Sequence, residues 1–213
     1  MFAWKRFGGL GLAAVLALSA CNLSVNESIT VADEETHNGS INAVNGNIII
    51  GKNAVVKGDC RAVNGNIFID QGATARKAMS VSGGIEIRDR ARIERSVESV
   101  NGPVQIGREV DIFGTIKSIN GSIELVSSYV EKDITTINGN ISLLDGSRVR
   151  GDIIIKENKG SEVGIRRIKI VLQKGSVVEG DILVKDKNVE VKVFLDASSA
   201  VKGQVVGAEV VQS

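Results

Sequence analysis

Aromatic side chains are scarce in this chain: they make up 3% of 213 residues, beside one Pro, one His and two Cys. A single histidine excludes a zinc site built on several imidazoles, and two cysteines exclude a disulfide-rich scaffold. The 26 Lys and Arg against 25 Asp and Glu exclude the basic footprint of a nucleic-acid-binding protein. A core with so few rings is filled by aliphatic side chains, many β-branched, which suit pleated strands.

The N-terminus carries the pattern of an export signal. Lys5 and Arg6 precede an apolar run of 11 residues at positions 7–17, which is too short to span a bilayer as a helix. The run ends in Leu18-Ser19-Ala20-Cys21, which resembles the lipobox of bacterial lipoproteins. The alternative is an ordinary signal peptide that happens to end near a cysteine.

The lipobox resemblance implies that residues 1–20 are removed, that Cys21 is acylated and that residues 21–28 form a lipidated tether. Two or more acyl chains anchor a protein stably, because each buried CH₂ contributes ~0.8 kcal/mol. Asn22 follows the cysteine, and by the same resemblance it favours the outer over the inner membrane. We therefore expect a protein of the bacterial cell envelope that contacts the membrane through its N-terminal lipid.

The rest of the chain is one repeat with a period of 18 or 19 residues. Its clearest mark is an aliphatic residue, a polar residue (Asn, or Ser once) and a glycine, first at Val44-Asn45-Gly46 and last at Ile137-Asn138-Gly139. Nine copies of an apolar pair start at Ile29, Ile48, Ile67, Ile85, Val104, Ile123, Ile141, Ile170 and Val193. Two wider steps near the C-terminus indicate insertions, and residues 156–164 are predicted to be an inserted loop.

Stacking the copies produces aliphatic columns with mixed residues between them, the alternation of a strand with one buried face. The third column begins at His37 and Val56, and the fourth runs Ile41, Cys60, Met79. No copy can bury its apolar face alone, so the repeat predicts stacked coils. We predict an all-β fold, a single-stranded parallel β-helix (β-solenoid) of about nine coils over residues 29–213.

The Asn-Gly pairs are predicted to form the turns between strands, where positive φ is needed. The alternative is that each pair forms a two-residue hairpin turn, but hairpins would alternate the strand direction.

Two family resemblances support this architecture. VNGNIIIG, SVNGPVQIG and SINGSIEL resemble the adhesin-like repeat family of exported bacterial β-solenoid proteins. NAVVKGDC, SRVRGDIII and SVVEGDILV resemble the coils of bactofilin-type polymer-forming proteins. The second resemblance implies end-to-end self-association, although bactofilins are cytoplasmic and this chain carries an export signal.

Parallel β-helices also include polysaccharide-acting enzymes, whose sites group carboxylates on one outer face. Here the outward acids alternate with bases, which is typical of a solvated surface. We therefore predict no catalytic residue, no metal site and no cofactor. His37 is predicted to cap the first coil rather than act as the histidine of an acyltransferase. Cys60 is predicted to be an inert core thiol.

Three surface features are candidate binding sites. Arg88, Arg90, Arg92 and Arg95 form a candidate stripe for an anionic glycan or lipid head group, and the alternative is a solvated surface. Two outward apolar pairs, Ile49 with Phe68 and Val171 with Phe194, are candidate partner patches. The alternative is that the N-terminal tether or the loop at 156–164 covers them.

Two functions from different classes follow from these features. The first is a non-catalytic, lipid-anchored envelope protein, structural or adhesin-like, that presents a regular surface to glycan or protein. The second is a self-assembling scaffold, because an uncapped last coil exposes strand edges. The polar residues Asp33, Glu34 and Glu35 in the first coil disfavour docking at that end. A polysaccharide-acting enzyme is the third interpretation.

Overall fold

A computed structural model of the protein describes residues 22–158 and 164–212. Within these ranges all regular structure is β. The strands of the first four coils are β1 Asn22–Val25, β2 Ile29–Val31, β3 Thr36–His37, β4 Ile41–Val44, β5 Ile48–Ile50, β6 Val55–Ala62, β7 Ile67–Ile69, β8 Thr74–Ser80, β9 Ile85–Ile87, β10 Arg92–Ile93 and β11 Val97–Ser99. None of the described residues belongs to a helix long and apolar enough to cross a membrane.

The remaining strands continue the same order. They are β12 Val104–Ile106, β13 Asp111–Ile112, β14 Ile116–Ser118, β15 Ile123–Val126, β16 Tyr129–Val130, β17 Ile134–Thr136, β18 Ile141–Leu144, β19 Arg148–Val149, β20 Ile153–Ile155, β21 Arg166–Leu172, β22 Val177–Val178, β23 Ile182–Val184, β24 Val189–Leu195, β25 Ala200–Val201, β26 Val205–Val206 and β27 Glu209–Gln212. Most are only two to four residues long, because each coil bends at several corners.

The strands stack coil on coil in two parallel sheets. One sheet has ten strands, in the order β2-β5-β7-β9-β12-β15-β18-β21-β24-β27. The other sheet has 17 strands and contains two ladders of stacked strands. Strands β6 and β8 belong to both ladders, because each of these two strands continues through the corner between the ladders. The pairings between described strands are parallel, for example β12 with β15 and β21 with β24. The β-solenoid prediction is confirmed, and the hairpin alternative is wrong.

The ten-strand sheet has one strand from each coil, so the solenoid has one coil more than the nine copies found in the sequence. The additional strand, β27, pairs with β24 so that Val210 lies beside Val193 and Gln212 beside Leu195. Gln212 occupies a column that is otherwise aliphatic, so the apolar pair that marks every other coil is absent there. At about 4.8 Å per coil, ten coils make a rod roughly 45 Å long.

The segment predicted to be a tether contains the first strand. β1 pairs in parallel with β4, placing Leu23 beside Asn42 and Val25 beside Val44. Asn26 then adopts a positive φ of 65° and its backbone N–H donates a 2.8 Å hydrogen bond to the Val44 carbonyl. The stacking of coils therefore begins ahead of Ile29, the predicted start of the solenoid.

The fourth column differs from the prediction at one coil. Cys60 pairs with Ala78, and Arg61 pairs with Met79, so Ala78 is fully buried while Met79 faces outward. This coil is one residue shorter than its neighbour, and the register between β6 and β8 shifts between Val56 and Asp59. A one-residue shift moves each following side chain to the other face of a strand.

The inward columns form one continuous aliphatic core. Ile48, Ile67, Ile85 and Val104 of the first column are each at most 1% exposed. Small polar side chains line the corner beside the Asn-Gly pairs, and their hydroxyls are satisfied locally. Ser118 Oγ donates to the Gly121 carbonyl at 2.7 Å, for example. The narrow interior explains why aromatic residues are so rare.

The repeated glycines serve close packing rather than positive φ. Of the Asn-Gly pairs that mark the repeat, from Asn45-Gly46 to Asn138-Gly139, only Asn45 has positive φ, at 58°, and none of the glycines does. A Cβ added to Gly65 would lie 1.9 Å from the Gly46 carbonyl oxygen, and one on Gly121 would lie 1.8 Å from that of Gly102. The predicted reason for these glycines was wrong: a side chain there would collide with the backbone of the coil before it.

The two wider steps in the repeat lengthen strands as well as loops. β21 and β24 are seven residues long, and they pair along their whole length from Arg166 beside Val189 to Leu172 beside Leu195. The predicted loop, 156–164, lies between β20 and β21 where it is described, and residues 159–163 lie outside the described residues.

Candidate functional surfaces

The predicted lipidation site, Cys21, lies outside the described residues. The first described strand begins at the next residue, Asn22. The anchor prediction is therefore tested only by experiment, but the chain that follows Cys21 passes directly into the stacked coils.

The four predicted arginines lie in one coil and follow its circumference. Arg88 comes directly after β9, Arg90 is in the turn with a φ of 60°, Arg92 is on β10, and Arg95 follows β10. All four are exposed. They therefore face different directions instead of lining up along the rod axis.

Two of these arginines have partners. Arg88 Nε lies 2.9 Å from Glu86 Oε1, and Arg88 Nη1 lies 3.5 Å from Asp70 Oδ1. The hydrogen bond to Glu86 and the charge of Asp70 raise the pKa of the Arg88 guanidinium. The Arg92 guanidinium stacks 4.0 Å from the ring centre of Phe113, a cation–π contact. Within 22–158 and 164–212, Arg90, Arg92 and Arg95 have no ion-pair partner. Arg90 and Arg95 also lack the ring contact that Arg92 makes, so their guanidinium groups have no side-chain partner among these residues.

The predicted apolar pairs are brought together as expected. Ile49 lies beside Phe68 in the pairing of β5 with β7, and Val171 lies beside Phe194 in that of β21 with β24. Val211 of β27 extends the second pair to three coils. Both patches lie on the outer face of the ten-strand sheet, near opposite ends of the rod.

The longest apolar surface was not predicted from the sequence. The aliphatic residue that directly precedes each Asn-Gly pair, such as Val63, points outward. The residue one position earlier points inward, as Ala62 and Ser118 do. We call the resulting column the aliphatic ridge. It consists of Val25, Val44, Val63, Val81, Val100, Ile119 and Ile137, in register on successive coils.

An asparagine ladder runs beside the aliphatic ridge. Asn45 Nδ2 donates to Asn26 Oδ1 at 2.8 Å, and Asn64 Nδ2 donates to Asn45 Oδ1 at 2.7 Å. After an interruption at Ser82, the same bonds join Asn120 to Asn101 and Asn138 to Asn120, both at 2.8 Å. The sequence contains a signal for both columns. Each Asn-Gly pair of the repeat follows an aliphatic residue that is next to an inward-facing one, and side chains alternate between the two faces of a strand.

A shallow apolar groove lies between the aliphatic ridge and the next outward column. Its volume is about 270 Å³, and it is lined by Met79, Val100, Ile119 and Ile137, with Lys117 and Lys156 among the polar residues. Glu98 also borders it and accepts from Lys77 Nζ at 2.7 Å. Burial acts to raise the pKa of Glu98, but the hydrogen bond and charge of Lys77 lower it overall.

Cys60 and His37 lie where the sequence predicts. Cys60 is fully buried and not in a disulfide, and burial, with the nearby charge of Asp59, raises the pKa of its thiol to about 12. His37 pairs with Val56 in the third column and is half-buried. Its Nε2 is buried without a hydrogen-bond partner in the described part of the chain.

Several aspartate side chains accept a hydrogen bond from a backbone N–H group of the next coil. Asp133 Oδ1 accepts the backbone N–H of Asp152 at 2.9 Å, and Asp152 Oδ1 accepts that of Asp181 at 2.8 Å. Outward acids elsewhere pair with bases on adjacent coils, as Glu179 does with Arg148 at 3.1 Å. Across the described ranges no three His, Cys, Asp or Glu side chains are grouped so that they could hold a metal ion.

The fold and these surfaces define the class of the protein as a β-solenoid repeat protein. Comparisons with protein-family models, with curated proteins and with solved structures found no match to this chain.

Proposed function

We propose that this protein is a lipid-anchored component of the bacterial cell envelope that acts by contact and not by catalysis. Its β-solenoid presents a long, regular surface to an envelope glycan or protein. The proposal combines the lipobox-like sequence ending in Cys21 with the outward columns of the rod.

The observation that carries the contact function is the repetition of the same outward side chain on successive coils. In the asparagine ladder, Asn101, Asn120 and Asn138 recur at the coil spacing and are fixed to one another by side-chain hydrogen bonds. Neighbouring coils are roughly 4.8 Å apart. A surface with such a repeat complements an extended partner that is itself regular, such as a glycan chain.

The anchor is tested by following acylation in cells. The full chain is expressed in a bacterial host fed an alkyne-bearing fatty acid, and labelling and membrane fractionation are measured. We expect the native chain to be labelled and to sediment with membranes, whereas Cys21→Ala is unlabelled and soluble.

Cys60→Ala is the matched control, because it removes the only other cysteine of the chain. We expect this variant to be labelled like the native protein, since Cys60 is buried. Sedimentation of unlabelled Cys21→Ala with the membrane, or equal labelling of native and Cys21→Ala protein, would show that the anchor is wrong.

The second candidate is a self-assembling scaffold, which the last described coil favours. β26 pairs only with β23, and β27 pairs only with β24, so each has an unpaired edge within the described residues. Val206 and Val210 on these strands are 48% and 43% exposed. Open strand edges with apolar side chains can pair with another chain.

Electron microscopy of the Cys21→Ala full chain separates the two candidates. Single short rods at micromolar protein concentration support the contact protein. Filaments many rods long support the scaffold.

A further inference from the structure

The aliphatic ridge is exposed along much of one corner of the rod. Val25, Val63 and Ile119 are 57%, 40% and 39% exposed, and the other members are half-buried. The inward neighbours of these residues fill the core, so the ridge side chains contribute little to it. An aligned row of outward aliphatic residues on seven coils is larger than the isolated apolar residues that are normal on a protein surface.

The charge beside the ridge is low, and it is basic at one end. The asparagine ladder on one side is neutral. On the other side the acid Glu98 is neutralised by Lys77 at 2.7 Å and Lys117 at 3.7 Å. Beyond Ile137 the same column continues as Lys156 and Lys185, both exposed.

The segment outside the described residues joins the rod at the opposite end of the ridge. Residues 1–21 lead directly into β1, and Val25 at the end of β1 is the first residue of the ridge. Acyl chains on Cys21 would therefore be attached a few residues from the ridge, on the same side of the first coil.

We propose that the aliphatic ridge rests on the phospholipid surface, so that the anchored rod lies along the membrane. Aliphatic side chains enter the boundary between head groups and acyl chains. Amides of the ladder remain hydrated, and Lys156 and Lys185 face anionic head groups. This inference rests on the proposed anchor. Because the lipid already holds the rod at the membrane, a ridge with low affinity for phospholipid is sufficient for contact.

A lipid surface fits the ridge better than a second copy or another protein. A stable protein interface uses roughly 20–30 residues on each side, whereas the ridge offers seven. An anchored rod needs no such area, because the tether already holds the surface at high effective concentration.

Fluorescence of the acylated full chain in vesicles tests the proposal. An environment-sensitive fluorophore is attached at Val63→Cys on the ridge, and for the control at Gln105→Cys, an exposed position on the ten-strand sheet. Buried Cys60 does not compete for the label. The vesicles contain phosphatidylethanolamine, phosphatidylglycerol and a lipid with a nitroxide on its acyl chain.

We expect the ridge fluorophore to be blue-shifted and quenched by the nitroxide several-fold more strongly than the control fluorophore. Adding Ile119→Asn to the ridge-labelled protein should reduce that quenching towards the control. Equal quenching at both positions, with the protein bound to the vesicles, would overturn the ridge proposal and leave the anchor intact.

Two other outcomes are also decisive. If the full chain fails to float with the vesicles, the anchor is wrong; the ridge proposal then stands only if excess vesicles still shift the fluorophore at position 63. A disulfide between Val63→Cys side chains of two copies, formed equally with and without lipid, would show that a second copy covers the ridge and would contradict the proposal.

Discussion

The side-chain amide of Asn120 donates a 2.8 Å hydrogen bond to Oδ1 of Asn101 on the coil before it, and its own Oδ1 accepts one from Asn138. Asn120→Ala removes both bonds of the ladder. A protein hydrogen bond contributes about 1 kcal/mol net, so we expect the free energy of unfolding in urea to fall by about 1–2 kcal/mol. Ser122→Ala at the same corner is the control and should change it by less than about 0.5 kcal/mol.

The ladder is interrupted at Ser82, which lies between Asn64 and Asn101 in the same column. Ser82→Asn should complete it and increase the free energy of unfolding by about 0.5–1 kcal/mol. A decrease, measured in the same urea titration, would mean that the asparagine stack does not stabilise the coils.

The stacking of glycine on glycine predicts a severe effect of a single methyl group. Gly121→Ala would place Cβ 1.8 Å from the Gly102 carbonyl oxygen, and backbone cannot move aside there without separating two coils. We expect a loss of about 3 kcal/mol or more in urea unfolding. Gly84→Ala is the comparison, because its nearest contact would be 3.2 Å; equal losses would contradict the close-packing explanation.

The buried carboxylate of Asp186 pairs with the half-buried Arg166 at the base of the inserted loop. Asp186 also accepts the backbone N–H groups of Asn158 and Asn188, each at 2.8 Å. These bonds, together with the charge of Arg166, lower the pKa of the Asp186 carboxyl. Its ionised form is thus favoured in the folded protein over the unfolded chain.

A group with a lowered folded pKa stabilises the protein above its unfolded pKa, about 3.9 for aspartate, and loses that contribution as pH falls through the folded pKa. Asp186→Asn should reduce the free energy of unfolding at neutral pH by about 1–3 kcal/mol, because two backbone N–H groups lose a charged acceptor. The difference from the native protein should shrink below about pH 4. A difference that stays constant down to pH 2 would refute a role for the ionised carboxylate.

Arg90 and Arg95 are the predicted anionic-ligand residues that have neither an ion-pair nor a ring partner among the described residues. Arg90→Glu with Arg95→Glu should weaken retention on an anionic polysaccharide resin several-fold at low salt, because surface charges attract an oppositely charged ligand. Arg88→Glu is not a neutral comparison, since it also breaks two ion pairs. Lys169→Glu with Lys187→Glu, at two exposed positions on a distant coil, is the control because it makes the same change in charge; equal loss in both proteins would indicate a general charge effect.

Much of the fold was predictable because the coil constrains each column in the same way. Ile48, Ile67 and Ile85 repeat one inward environment, so their spacing alone revealed the stack. The register shift that turns Ala78 inward and Met79 outward was not predictable. Both residues are apolar, and the sequence does not show at which corner a coil of 18 residues is one residue shorter. β27 was missed because Gln212 stands in an aliphatic column.

The surfaces were harder to predict than the core. The four arginines are close in sequence, but a coil distributes neighbouring residues around its circumference, so sequence proximity does not produce a stripe. The aliphatic ridge consists of residues distant in sequence, such as Val63 and Ile119, which only the register brings into one row.

The central claim, that an anchored rod acts at the envelope, is tested most directly by mass spectrometry of the N-terminal peptide of the protein purified from bacterial membranes. We predict a peptide that begins at Cys21 and carries a diacylglyceryl group on sulfur. A peptide that begins at Met1, or at any residue with Cys21 unmodified, would contradict the account.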